Sequence, residues 1–152
     1  MRIAIVGYGT AGQASALLLS GQGHQITVFE QAFAPGPVGA GFLLQPTGLA
    51  VLARLGLHEQ ALAQGQRIDE LHGSTPRGRA VMAMRYADHR EGCFGLGMTR
   101  GALFETLRQA WTGAAGIRTG IRIERYDPAT RTLHDAEGRV HAASSRTRCA
   151  SR

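Results

Sequence analysis

The residues best spaced for chemistry lie at the start of the chain: Gly7-Tyr8-Gly9-Thr10-Ala11-Gly12, followed by an acid at Glu30. The chemistry they suit is the holding of a dinucleotide. Gly7 permits a tight turn where a Cβ would clash, and Gly9 lets the backbone approach a diphosphate. Gly12 lets a helix pack closely on a strand. The unpaired N–H groups that open that helix, those of Thr10 and Ala11 among them, favour an anion because the helix dipole is positive there. Glu30 follows at roughly 20 residues, where a carboxylate accepts hydrogen bonds from ribose hydroxyls.

Glycines at this spacing carry weight only between a strand and a helix, and both are legible. Ile3-Ala4-Ile5-Val6 is an apolar run of strand length, and Gln13 to Leu19 is compatible with a helix. A glycine-rich turn then leads to a second apolar run, Ile26 to Phe29, which Glu30 closes. The fold class expected is therefore α/β: a Rossmann-like βαβ dinucleotide-binding domain, incomplete, with a small β excursion further on.

Downstream, Gln31 to Gly41 has loop composition, with Pro35, Gly36, Pro37, Gly39 and Gly41. Leu49, Leu52, Ala53, Leu55 and Leu57 predict a helix that Thr47 would cap and Gly56 would end, and His58 to Ala63 predicts a further helical turn. Arg67 to Leu71 reads as a strand, Thr75 to Arg79 as a turn and Ala80 to Tyr86 as a second strand. Asp88 to Gly92 reads as polar loop and Phe94 to Met98 as a short glycine-rich segment. Thr99-Arg100-Gly101-Ala102 opens another helix, with Leu103, Leu107, Ala110 and Trp111 on one face and Trp111 in the core. Ile117, Ile121 and Ile123 suggest a strand, and Thr132 to Val140 a hairpin turning at Asp135-Ala136-Glu137-Gly138.

The bulk numbers exclude several classes. A chain of 152 residues with 43% apolar content fits one ordinary domain. The formal charge is +6, and all 17 basic residues are arginine. They are scattered, without a basic helix or interleaved aromatics, which argues against nucleic acid. Cys93 and Cys149 make neither a disulfide framework nor a metal spacing and read as reduced thiols. No apolar run approaches the length of a membrane span, and Arg2 enters a strand with no room for a leader. A cytoplasmic protein without metal is expected.

Four stretches together resemble the N-terminal part of the FAD-dependent monooxygenases of the aromatic-hydroxylase (p-hydroxybenzoate hydroxylase-like) family. They are the fingerprint with Gln13 to Ala16 and Gly23 to Glu30; Gly39-Ala40-Gly41-Phe42-Leu43-Leu44-Gln45-Pro46 running into Leu49 to Leu57; the excursion Arg67 to Met98; and Thr99 to Leu107. The resemblance implies that Gly7, Gly9, Thr10, Ala11 and Gly12 hold the pyrophosphate of FAD and Glu30 its adenosine ribose. It implies that the loop around Gly41 lies along the cofactor and that Arg100 reaches toward its phosphate and ribityl region, a role suited to an always-charged fork of donors. It implies NAD(P)H- and O2-dependent hydroxylation of a small organic, often aromatic, substrate. The flavin carries that chemistry, so no catalytic side chain is named. On this reading residues 1–141 are the N-terminal portion of an FAD-binding domain, with 66–98 resembling the first strands of a substrate-domain sheet.

The family's later flavin motifs, an Asp-Gly segment and a Gly-Asp-Ala-type segment, are missing. Residues 142–152 fit no part of its pattern. Ser144-Ser145-Arg146-Thr147 can be coded TCG-TCG-CGG-ACG. With a preceding C, the neighbouring frame reads Leu-Val-Ala-Asp, which suggests a frameshift or truncation near Ala142. The chain alone is then expected to be inactive. Two other readings stand beside this one: an NAD(P)-binding oxidoreductase domain, since Glu30 suits either adenosine ribose, and a degenerate fragment whose unpaired strand edges favour aggregation.

Overall fold

The computed structural model describes residues 1–36, 39–112 and 116–142. The tail expected at 142–152 therefore lies, beyond Ala142, outside the described residues. The chain forms two compact units, one of residues 1–36 with 107–152 and the other of residues 37–106.

The first unit opens as β1 (Arg2–Val6), α1 (Thr10–Gly21) and β2 (Gln25–Phe29). β1 and β2 are parallel and in register from Arg2↔Gln25 to Val6↔Phe29. Parallel neighbours need a crossover, and α1 supplies it. α1 ends in a glycine-rich turn where Gly23 takes φ 80°, and its amide is bonded to the Ser20 carbonyl. β8 (Ile117–Arg118) extends the sheet in parallel on the other side of β2. Val28 and Phe29, on the central strand, are almost fully buried, as are Ala16 of α1, Leu107 and Trp111. A three-stranded antiparallel sheet follows, with β10 (Thr132–Asp135) between β9 (Ile123–Asp127) and β11 (Val140–Ala142). Its hairpin turns at Asp135 to Gly138, as its residue types predict.

In the second unit, β7 (Gly95–Thr99) lies between β3 (Gly41–Leu44) and β4 (Gln66–Ile68), antiparallel to both. Leu96 and Met98 of β7 are buried, with Leu49 and Leu52 of α2 (Pro46–Arg54) and Ala61 of α3 (His58–Leu62). β5 (Glu70–Ser74) and β6 (Ala80–Arg85) form a hairpin whose Val81, Met82 and Met84 are exposed. α5 (Arg100–Ala110) begins directly after β7.

The structure corrects the sequence reading at four places. Thr47 does not cap α2: Gln45 is the N-cap and Pro46 the first helical residue, where its missing N–H costs nothing. The strand expected over Arg67 to Leu71 breaks at Asp69 into β4 and β5, which belong to different sheets. The polar loop expected from Asp88 is preceded by, and partly folded into, a short helix, α4 (Tyr86–His89). Ile117 and Ile123 lie in separate strands of separate sheets, with Gly120 at φ 68° between them.

Candidate nucleotide-binding site

In the first unit the glycine turn is built from the end of β1. Gly7 takes φ 98°, which favours glycine, and its amide donates to the carbonyl of Phe29 at 2.8 Å. The next amide, that of Tyr8, donates to Glu30 Oε2 at 2.7 Å, and Ala32 N donates to Oε1 at 2.8 Å. Glu30 thus clamps the turn after β1 to the loop after β2, while its own backbone bonds to Arg118 and Ile121. A carboxylate with two oxygens accepts about four hydrogen bonds, so these two leave capacity for ribose hydroxyls.

Gly12 sits where α1 passes closest to the turn: a Cβ there would overlap the carbonyl oxygen of Gly7. Gly7 and Gly9 differ from it. A Cβ at either would meet nothing within 4 Å, so Gly7 is favoured by its φ of 98° and not by the clash that the sequence reading expects. That open space adjoins the first turn of α1, which carries no acidic residue and no side-chain cap. The N–H groups there are those a helix leaves unsatisfied, and the positive end of its dipole points at the same space. Residues with this arrangement fit a diphosphate.

Two residues of this site escape a reading by motif. Gln13 is completely buried; its Nε2 donates to the Tyr8 carbonyl at 3.2 Å, while its Oε1 has no hydrogen-bond partner among the described residues. Tyr8 is 3% exposed and its ring lies 6.1 Å from that of Trp111. A polar residue one position after the last fingerprint glycine was the available signal for Gln13; for Tyr8 there was none.

Gly41 and Arg100 come together in the second unit. Gly41 is the cross-strand partner of Thr99, and Arg100 N donates to the Ala40 carbonyl at 3.4 Å. Thr99 Oγ1 accepts the Ala102 amide at 3.1 Å, capping α5 and fixing Arg100 as its first residue. Gly39 takes φ 101°, and a Cβ there would press on the Arg100 side chain, 3.2 Å from its Cδ. The arginine stem therefore lies over the backbone of Gly39. Gln45 accepts the buried Tyr86 hydroxyl at 3.0 Å, a contact across 41 residues that no local pattern signals.

Residues 1–133 match the FAD binding domain family. The chain belongs to that family, and its cofactor is FAD. It is 30% identical over 148 residues to 6-hydroxynicotinate 3-monooxygenase of Bordetella bronchiseptica, covering 93% of this chain and 38% of that protein. It is 35% identical over 153 residues to phenazine 1,6-dicarboxylic acid hydroxylase of Lysobacter antibioticus, covering 92% and 34%. Among solved structures, 2-methyl-3-hydroxypyridine-5-carboxylic acid oxygenase superposes with a TM-score of 0.79 at 24% identity, over 93% of this chain and 37% of that one. That likeness establishes the fold. The chain spans little more than a third of the length of these relatives, and it represents the FAD-binding domain of the flavin monooxygenase family.

No helix among the described residues is long and apolar enough to cross a membrane, and no group of three or more metal-ligating side chains occurs among them.

Proposed function

We propose that Gly7, Gly9, Thr10, Ala11 and Gly12 seat the diphosphate of FAD, that Glu30 accepts its adenosine ribose hydroxyls, and that Gly41 and Arg100 line its path. The observation that carries this is the open space over Gly7 and Gly9 beside an uncapped helix N-terminus, with Glu30 already fixed beside it. Thr10, Ala11 and Gly12 contribute main-chain donors. Gly9 contributes the absence of a side chain, and Arg100 a permanent positive charge.

The whole enzyme to which these residues belong carries out NAD(P)H- and O2-dependent hydroxylation of a small aromatic substrate. Bound FAD supplies the redox chemistry of that reaction. The two curated relatives, a hydroxynicotinate monooxygenase and a phenazine dicarboxylic acid hydroxylase, support an aromatic acid or heterocycle as substrate class. Residues 1–141 supply the cofactor-holding portion, with 66–98 as the opening strands of the sheet on the substrate side. The 152-residue chain binds FAD without turning over a substrate.

Titration of the purified chain with FAD, followed by quenching of flavin fluorescence, tests the cofactor reading. Saturable binding tighter than that of NADH is expected, and tighter binding of NADH would overturn it. NAD(P)H consumption accelerated by an aromatic acid would overturn the assignment of binding without turnover.

A further inference from the structure

A second cavity, lined by none of the residues assigned to FAD, lies in the second unit between α2, the start of α3 and the turn before β7. Its volume is about 240 Å³. That is below the roughly 300–1,000 Å³ of pockets for drug-sized ligands and suits a single ring. Leu49, Ala53 and Phe94 supply apolar wall; His58, Arg90 and Cys93 supply the polar part.

Local chain chemistry places these groups. Arg90 to Cys93 form a reverse turn closed by the Cys93 amide on the Arg90 carbonyl at 3.0 Å, with Gly92 at φ 78° in its third position. A residue with positive φ at that position is what a type II turn requires, and glycine meets it without strain. The turn sets the buried Cys93 and the exposed Arg90 on one side of the cavity. Phe94 carries the Arg67 guanidinium over its face, 4.3 Å from the ring centre, and has the His58 ring 6.5 Å away.

Not every charged group around the cavity is paired. Arg67 is paired with Asp69 at 2.7 Å, and His58 Nδ1 is engaged by Glu59 at 3.1 Å. Among the described residues no carboxylate pairs with Arg90. The Arg90 guanidinium is therefore left without an ion pair among the described residues, at an apolar cavity that an aromatic ring helps to wall. Guanidinium groups bind carboxylates through two parallel hydrogen bonds, and apolar walls bind the body of the molecule.

We propose that this cavity binds a small single-ring organic monoanion, its carboxylate on Arg90 and its ring against Leu49, Ala53 and Phe94. The Cys93 thiol at the wall is a built-in reporter. The test is alkylation of the purified 152-residue chain with iodoacetamide, read by peptide mass mapping, with benzoate as the probe and Cys149 as internal reference. Benzoate at about ten times its Kd should slow modification of Cys93 about tenfold, in proportion to the occupied fraction, without slowing Cys149. Benzyl alcohol, which keeps the ring but not the charge, should protect little. Arg90→Gln should weaken benzoate protection about tenfold or more, and Arg90→Lys should restore part of it. FAD affinity should stay unchanged in both variants, so this proposal and the FAD assignment fail separately. Equal protection by benzyl alcohol, no protection by benzoate, or unaltered protection in Arg90→Gln would each overturn it.

Discussion

Adding one methyl group at Gly9 and one at Gly12 should give opposite phenotypes. Gly9 has φ −70° and ψ −178°, extended backbone that alanine adopts freely, and a Cβ there meets nothing within 4 Å. Gly9→Ala should therefore fold. Alanine is a poorer N-cap than glycine, yet it also restricts the unfolded chain, so the net change in stability should stay within about 1 kcal/mol. The methyl group would occupy the space through which a diphosphate approaches the N–H groups of α1. Loss of one or two charge-assisted hydrogen bonds, about 3 kcal/mol, corresponds to roughly a hundredfold rise in the Kd for FAD. At Gly12 the obstruction is internal. The methyl group would overlap the Gly7 carbonyl oxygen, whose residue is tied to Phe29 and cannot give way. Overpacking costs about 1–3 kcal/mol, and for a domain of this size each kcal/mol moves Tm by about 2–4 °C, so Gly12→Ala should melt roughly 2–12 °C lower. Thermal denaturation and flavin-fluorescence titration of both variants read the two effects separately. Gly9→Ala that stays folded and binds FAD as tightly as the unmodified chain would refute the assignment of that open space to the diphosphate.

Glu30→Gln preserves shape but turns one oxygen into a donor facing a main-chain N–H. It should lose about 1–3 kcal/mol of stability and bind FAD more weakly; an unchanged melting curve would remove the clamp from the account. Gly39→Ala combines an unfavourable φ of 101° with a Cβ 3.2 Å from Arg100 Cδ, so FAD affinity should fall as it does in Arg100→Ala, and a double variant should be no worse than either alone. Asp135 titrates in a different part of the molecule. Burial alone would raise its carboxyl, but hydrogen bonds from His141 and the Arg139 amide, with the Arg139 guanidinium, outweigh burial and hold it below the usual carboxylate range. A carboxyl depressed in the folded state stabilises above its unfolded pKa of about 3.9 and loses that contribution as pH falls below it. Asp135→Asn should accordingly lower the urea midpoint most near neutral pH, and the gap from the unmodified chain should narrow below about pH 4.

The fingerprint was legible because its physics is local. A strand, a glycine turn and a helix start can be recognised from adjacent residues, and the φ of 98° at Gly7 is a property of that turn alone. The boundaries that moved did so for equally physical reasons. Pro46 could start α2 because a first helical residue needs no N–H, which displaced the cap from Thr47 to Gln45. Asp69 divided what read as one strand, because its two halves find partners in different sheets. The bond from Tyr86 to Gln45 and the seat of Arg100 over Gly39 depend on pairings across dozens of residues, and composition carries no trace of them.

Glu30 does more in the structure than its spacing in the sequence suggests. Spacing marks it as a ribose ligand, and the structure adds that both of its oxygens hold main-chain N–H groups, at Tyr8 and Ala32. The turn after β1 is thereby held from three directions: by Phe29 through the Gly7 amide, by Glu30 through the Tyr8 amide, and by Gln13 through the Tyr8 carbonyl. All three contacts lie within the chain and hold the main chain that would receive the diphosphate in one shape. Affinity gained in this way comes from ordering that binding does not have to supply. It follows that Gln13→Leu, which touches no proposed ligand contact but takes the side-chain amide away from the buried Tyr8 carbonyl, should cost about 1–3 kcal/mol of stability and loosen the turn. Its signature should be a weaker FAD complex with a larger entropic penalty in calorimetry. A variant that binds FAD with unchanged enthalpy and entropy would show that the turn holds its shape without Gln13.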